Sequence, residues 1–250
     1  MSSLLLALII TFCLVIAVVV GAMSQRSLGV SLHSEEIKVV LETSRDMIIG
    51  LTALTLGMLV TSAKTSYDEK VVALRQHAAE VTMLGNILDD YGPETKGAVE
   101  IFRGAIQSEI NILDAAAEHG LSGLRDTARA ALRQVRSEII KLDAPDDNKK
   151  KLKDAAFDTL QDVISSQLKM IHDIDSKLSW PLVWILIFWL SVVFFILGLF
   201  ASINAISIIC LSFTVLSMSA SMFLMMEYDM PYDGFVIISS EPLERAINKF

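Results

Sequence analysis

Residues that build catalytic and redox centres are scarce in this chain. Only two cysteines occur in 250 residues, Cys13 and Cys210, and both lie inside apolar runs. A disulfide or metal site has little footing there, and a small buried hydrophobe is the plain reading. The four histidines, His33, His77, His119 and His172, fall on separate segments, His77 beside a helical seam where it reads as a packed or surface side chain. No glycine-rich phosphate loop, no H-E-x-x-H and no G-x-S-x-G is present. Enzyme chemistry, a cofactor and a metal are therefore not expected. Basic charge is short too: 21 Lys and Arg stand against 29 Asp and Glu, a net charge of −8. That balance excludes a general attraction to nucleic acid or anionic lipid. Strand signals are missing from the middle of the chain.

Long uncharged apolar runs are what the chain has instead. A span needs about 20 mostly apolar residues to cross roughly 30 Å of hydrocarbon. Trp180–Ala201 and Ile203–Met226 both qualify, separated by a polar break at Ser202–Asn204 that suits a tight turn. Leu4–Met23 is a third run, and no Lys or Arg precedes it, so it reads as a retained span rather than a cleaved signal peptide. The fourth, Met47–Ala63, is short and rich in threonine and glycine. The expected fold is all-α, with four transmembrane helices and an antiparallel helical bundle inserted between the second and third spans. The expected divisions are 1–63 (spans near 4–23 and 47–63), a helical domain at 64–179, a membrane hairpin at 180–226, and a turn with a short interfacial helix at 227–250.

The inserted domain is read from its periodicity. Tyr67, Val71, Leu74, Ala78, Val81, Gly85 and Leu88 recur at steps of four and three, a bundle seam. No breaker separates this seam from the second span, so one continuous helix is expected to leave the membrane. Gly92–Pro93 stops it. Apolar faces follow at Ala98, Phe102, Ala105, Ile110 and Leu113, then at Leu124, Ala128, Leu132, Val135 and Ile139, then at Leu152, Ala156, Leu160, Ile164, Leu168 and Ile171. Ala144-Pro145-Asp146-Asp147 is a turn with a ready N-cap for the last of these helices. The basic run Lys149–Lys151 with Lys153 reads as a solvated helix start, with a lipid head-group contact as the alternative.

Two stripes carry the functional question. On the second span Thr52, Thr55, Leu59 and Ser62 share a face; on the fourth, Ser207, Cys210, Thr214, Ser217 and Ser221 repeat at three and four. Small side chains at this spacing let helices approach closely in lipid, and hydroxyls at the same spacing can line a wet path. On the third span Trp180, Trp184, Phe188 and Phe195 face lipid or a neighbouring subunit. The tail holds Asp229, Pro231 and Gly234 in a turn, and Glu227, Asp229 and Asp233 admit either a solvated turn or a cation site. Lys and Arg are absent from the turn between spans three and four, whereas Lys64, Lys70, Lys169, Lys177, Arg245 and Lys249 flank the other ends. By the positive-inside rule both termini and the helical domain are expected in the cytoplasm.

Several short motifs share an order and a spacing: Ser62-Ala63-Lys64-Thr65-Ser66-Tyr67-Asp68, Tyr91-Gly92-Pro93-Glu94-Thr95-Lys96, Phe188-Trp189-Leu190, Gly198-Leu199-Phe200-Ala201, Asn204-Ala205, Asp229-x-Pro231-x-x-Gly234 and Ser239-x-x-Pro242-Leu243. In these the chain resembles the bacterial bestrophin-like integral membrane family. The resemblance implies a four-span homo-oligomer of the inner membrane and, by distant analogy to true bestrophins, an ion channel, for anions in particular. It does not extend to the aromatic-proline neck of true bestrophins or to their acidic calcium clasp. The expected partners are thus the lipid bilayer, further copies of the chain and a small inorganic ion. The second expectation is a membrane-anchored scaffold or sensor whose bundle binds a cytoplasmic partner while the stripes only pack.

Overall fold

The computed structural model describes residues 3–28, 35–119, 124–172, 180–201, 204–229 and 238–250. Among them every regular element is helical: α1 Ser3–Leu28, α2 Glu35–Tyr91, α3 Lys96–His119, α4 Leu124–Lys141, α5 Asp147–His172, α6 Trp180–Phe200, α7 Ala205–Asp229 and α8 Glu241–Ile247. A 3-10 turn, Pro93–Thr95, joins α2 to α3. Stretches long and apolar enough to cross a membrane occur in α1, α2, α6 and α7. The continuous helix foreseen at the second span is α2, 57 residues without a break.

The chain forms two compact units, Met1–Ser66 with Lys177–Met230, and Tyr67–Ser176 with Pro231–Phe250. In the first unit α1 packs on α6 and α7. Leu14, Leu186, Leu190, Phe194 and Met222 form its core with Leu59 and Ala63 of α2. The α1–α6 crossing depends on two glycines. A Cβ on Gly21 would strike the Phe195 carbonyl oxygen and stand 3.0 Å from the Leu199 nitrogen. A Cβ on Gly198 would strike the Val18 carbonyl oxygen. The outer surface is strongly apolar, with Leu8, Phe12, Trp184, Phe188, Ile206 and Phe213 between 64% and 75% exposed. Water would oppose such a surface by about 25 cal/mol per Å², and hydrocarbon removes that opposition. This is a membrane protein.

The second unit is a helical bundle closed by α8. Its core is the expected seam of α2 (Leu74, Ala78, Val81 and Leu88), with Phe102, Ala105 and Ile110 of α3 and Leu132, Val135 and Ile139 of α4. On α5 the face is turned from the expected one. Ala156 and Leu160 are buried as foreseen, but Val163, Gln167 and Met170 continue the buried row, while Leu168 is exposed. The cause is polar: Gln167 is drawn inward by a hydrogen bond to Glu109.

Caps close the bundle's turns. Within the turn that offered an N-cap, Asp146 is the residue that caps α5: its Oδ1 accepts from the Lys149 backbone amide at 2.7 Å. Lys153 Nζ donates to the Ile140 and Leu142 carbonyls at 2.7 and 2.8 Å, closing the end of α4. Thr95 Oγ1 donates at 2.6 Å to the Leu88 carbonyl, where α2 ends. Gly92 there has φ +117°, and a Cβ would stand 2.9 Å from Glu94 Oε2. Gly92→Ala should therefore cost about 1–3 kcal/mol through backbone strain, read as a lower melting midpoint of the full-length protein. An unchanged midpoint would mean that the turn re-forms without the left-handed residue.

The last helix differs from expectation. Leu243, Ala246 and Ile247 of α8 are buried in the bundle core, and Ser240 Oγ donates to Asp114 Oδ1 at 2.8 Å. Its apolar face is covered by α3 rather than by a membrane interface. Beyond it Phe250 fills the notch left by the missing side chain of Gly85, stacks on Phe102 at 5.8 Å and offers its carbonyl oxygen to Arg103.

Candidate functional site

The two stripes meet different fates. On α2, Thr52 and Leu59 are buried, each 5% exposed, while Thr55 is half-buried and Ser62 is exposed. Leu59 belongs to the first unit's core. The outward face of α2 is instead small: no atom lies within 4 Å of a Cβ built on Gly50 or Gly57, and Thr61 is exposed beside them.

The α7 stripe points outward. Cys210, Thr214 and Ser217 are exposed, and Ser207 and Ser221 are partly so. Close packing within the chain is therefore not its role. Two of its hydroxyls are satisfied locally: Thr214 Oγ1 donates to the Cys210 carbonyl at 2.9 Å, and Ser221 Oγ to the Ser217 carbonyl at 3.1 Å. Asn204 Oδ1 accepts from the Ser207 amide at 2.7 Å and starts the helix. A hydroxyl bonded back to its own backbone has no unmet donor in lipid, yet keeps acceptor lone pairs for water or a second copy. The buried side of α7 carries Val215, Ser219, Met222 and Met225.

At the end of α7, Glu227 and Asp229 are 1% and 4% exposed. A solvated turn at these two residues is thereby corrected: both residues are enclosed and interact with neighbours, and Lys64 stands 5.7 Å from the Tyr228 ring centre. Pro231, Asp233 and Gly234 lie outside the described residues. Among the described residues no three His, Cys, Asp or Glu side chains are grouped to hold a metal ion.

Sequence reasoning missed a polar cluster inside the second unit. His77 of α2 is wholly buried. Its Nδ1 lies 2.7 Å from Ser166 Oγ on α5, and its Nε2 lies 3.2 Å from Glu109 Oε1 on α3. Gln167 Nε2 donates to Glu109 Oε2 at 3.0 Å. The Ser166 hydroxyl also lies 3.1 Å from the Val163 carbonyl, so it either donates there and accepts from Nδ1 or donates to Nδ1, as the tautomer decides. A carboxylate only accepts, so an Nε2–H donates to Glu109. The imidazole is thus held between a hydroxyl on α5 and a carboxyl on α3. Grooves open on both sides of it: Ser166 lines one, with Gln76, Glu80, Asp162 and Lys169, and Gln167 lines the other, with Leu132, Arg133, Ile164 and Leu168. The only signal in the sequence was a polar residue on each of three apolar helix faces.

The basic run is structural where it is engaged. Lys149 Nζ meets Glu94 Oε1 at 2.6 Å. Its hydrogen bond holds the Glu94 carboxyl below the usual carboxylate range, and the same bond raises the Lys149 ammonium.

A family model described as the Bestrophin-like domain matches residues 12–243, from within α1 into α8. Comparison with curated proteins and with solved structures gives no match.

Proposed function

Because the chain belongs to the bestrophin-like family, we propose that it assembles as a homo-oligomer in the inner membrane and conducts small inorganic ions, anions foremost. The observation that carries this reading is the outward, hydroxyl-bearing face of α7 at Cys210, Thr214 and Ser217. Four spans enclose no wet passage by themselves, and a ring of copies turns such faces toward one another or toward a shared lumen. The small outward face of α2 at Gly50 and Gly57 gives a second copy room to approach. The distribution of Lys and Arg supports placing the helical unit and both termini in the cytoplasm.

Ser217→Trp tests the proposal without disturbing the protomer, because the position is exposed. Wild-type protein in sealed planar bilayers should pass current, and the variant should assemble normally and pass at most about a tenth of it. Failure to assemble would instead make the stripe a subunit contact. Silence of the assembled wild type would remove conduction altogether. The second reading, a membrane-anchored scaffold or sensor, draws on the grooves of the bundle and predicts ligand or partner capture without current.

A further inference from the structure

We propose that residues 238–250 are a releasable strap, locked onto the helical unit by the Phe250 ring, and that through it this unit restrains the end of α7. The central piece, α8, is seven residues long. A helix that short does not persist in water on its own, so α8 is helical only while docked and opens as one piece. Its own hold is small. It buries Leu243, Ala246 and Ile247, and its Glu241–Arg245 pair is exposed and adds little.

The flanks supply the rest. Before α8, Ile238 is buried in the bundle core, and Ser240 Oγ donates to Asp114. After it, Phe250 enters a slot built from two helices. From α2 comes Gly85, where an added Cβ would strike the ring. From α3 comes Phe102, stacked on the ring at 5.8 Å with the planes 19° apart. Arg103 of α3 stands 5.9 Å from the ring centre, and its Nη2 donates to the Phe250 carbonyl. Aromatic, cationic and hydrogen-bonding contacts thus converge on one residue just beyond α8. The ring is partly exposed, so it leaves the slot without the bundle core opening.

The strap is tied to the membrane unit by the chain itself. Only residues 230–237 separate Asp229, the last residue of α7, from Ile238. Fully extended, that stretch reaches about 30 Å. A docked strap therefore limits where the end of α7 can go, and an undocked one leaves it free.

Phe250→Ala empties the slot, and Gly85→Ala fills it. The second variant is the sharper, because Ala favours a helix more than Gly does, so α2 itself should not loosen. The measurement is hydrogen–deuterium exchange of the full-length protein in lipid nanodiscs, read by mass spectrometry. Each variant should speed exchange of the Glu241–Ile247 amides about tenfold. Exchange at residues 226–229 should rise as well, while the turn between α4 and α5 stays unchanged. The double variant should go no further than either single one, since both remove the same contact. Unchanged exchange in α8 would overturn the lock. Faster exchange spread through α4 and α5 would overturn the strap, since Phe250 would then support the whole bundle. Faster exchange in α8 with none at 226–229 would overturn the hold on α7.

Discussion

His77→Ala is expected to destabilise the helical unit by about 3–5 kcal/mol, because it strands a buried carboxylate. Glu109 is 4% exposed and relies on His77 and Gln167 for its hydrogen bonds. Removing the imidazole takes a hydrogen-bond partner from the buried Glu109 carboxyl and leaves a void beside it. Replacing both residues at once, as His77→Leu with Glu109→Leu, should therefore recover most of the loss. The check is the melting midpoint of the solubilised full-length protein, followed by circular dichroism. A loss under about 1 kcal/mol for His77→Ala would mean that water reaches Glu109 and that the cluster is not dry.

Gly198→Ala is the second large effect. The new methyl would meet the Val18 backbone of α1, and a backbone cannot rotate aside as a side chain can. Overpacking of this kind costs about 1–3 kcal/mol, and more where helices must separate. Gly21→Ala should do the same through the Phe195 carbonyl. The two should fall short of additivity, because the separation that relieves one also relieves the other. Gly104→Ala supplies the contrast: nothing lies within 4 Å of its built Cβ, so better helix propensity should stabilise by about 0.5–1 kcal/mol. If Gly198→Ala melts like the wild type, the α1–α6 crossing is looser than described.

The legible part of the fold was the part governed by repetition. Apolar runs of membrane length and the seam from Leu74 to Leu88 are statements about one helix at a time, and they held. What failed to show in the sequence needed two helices. His77 is 32 positions from Glu109 and 89 from Ser166, so nothing local links them. The face of α5 was misplaced for the same reason: counting apolar residues favours Leu168, whereas a buried acceptor on α3 draws Gln167 inward. On α2 the stripe from Thr52 to Ser62 was read as one face. Thr52 and Leu59 turn out to pack inside while Ser62 looks outward, since a row of small residues names no partner. For α8 the sequence offered amphipathicity without saying that α3 would cover it.

Cys210 offers the most direct test of conduction, because the chain places its own thiol on the exposed stripe of α7. The measurement is current through the assembled protein in a sealed bilayer before and after a water-soluble, charged thiosulfonate reagent. The proposed path predicts a current that changes when the reagent is added, persists in its response in Cys13→Ser, and loses that response in Cys210→Ser. No current, or a current whose response to the reagent survives in Cys210→Ser, would contradict a water-filled passage along α7.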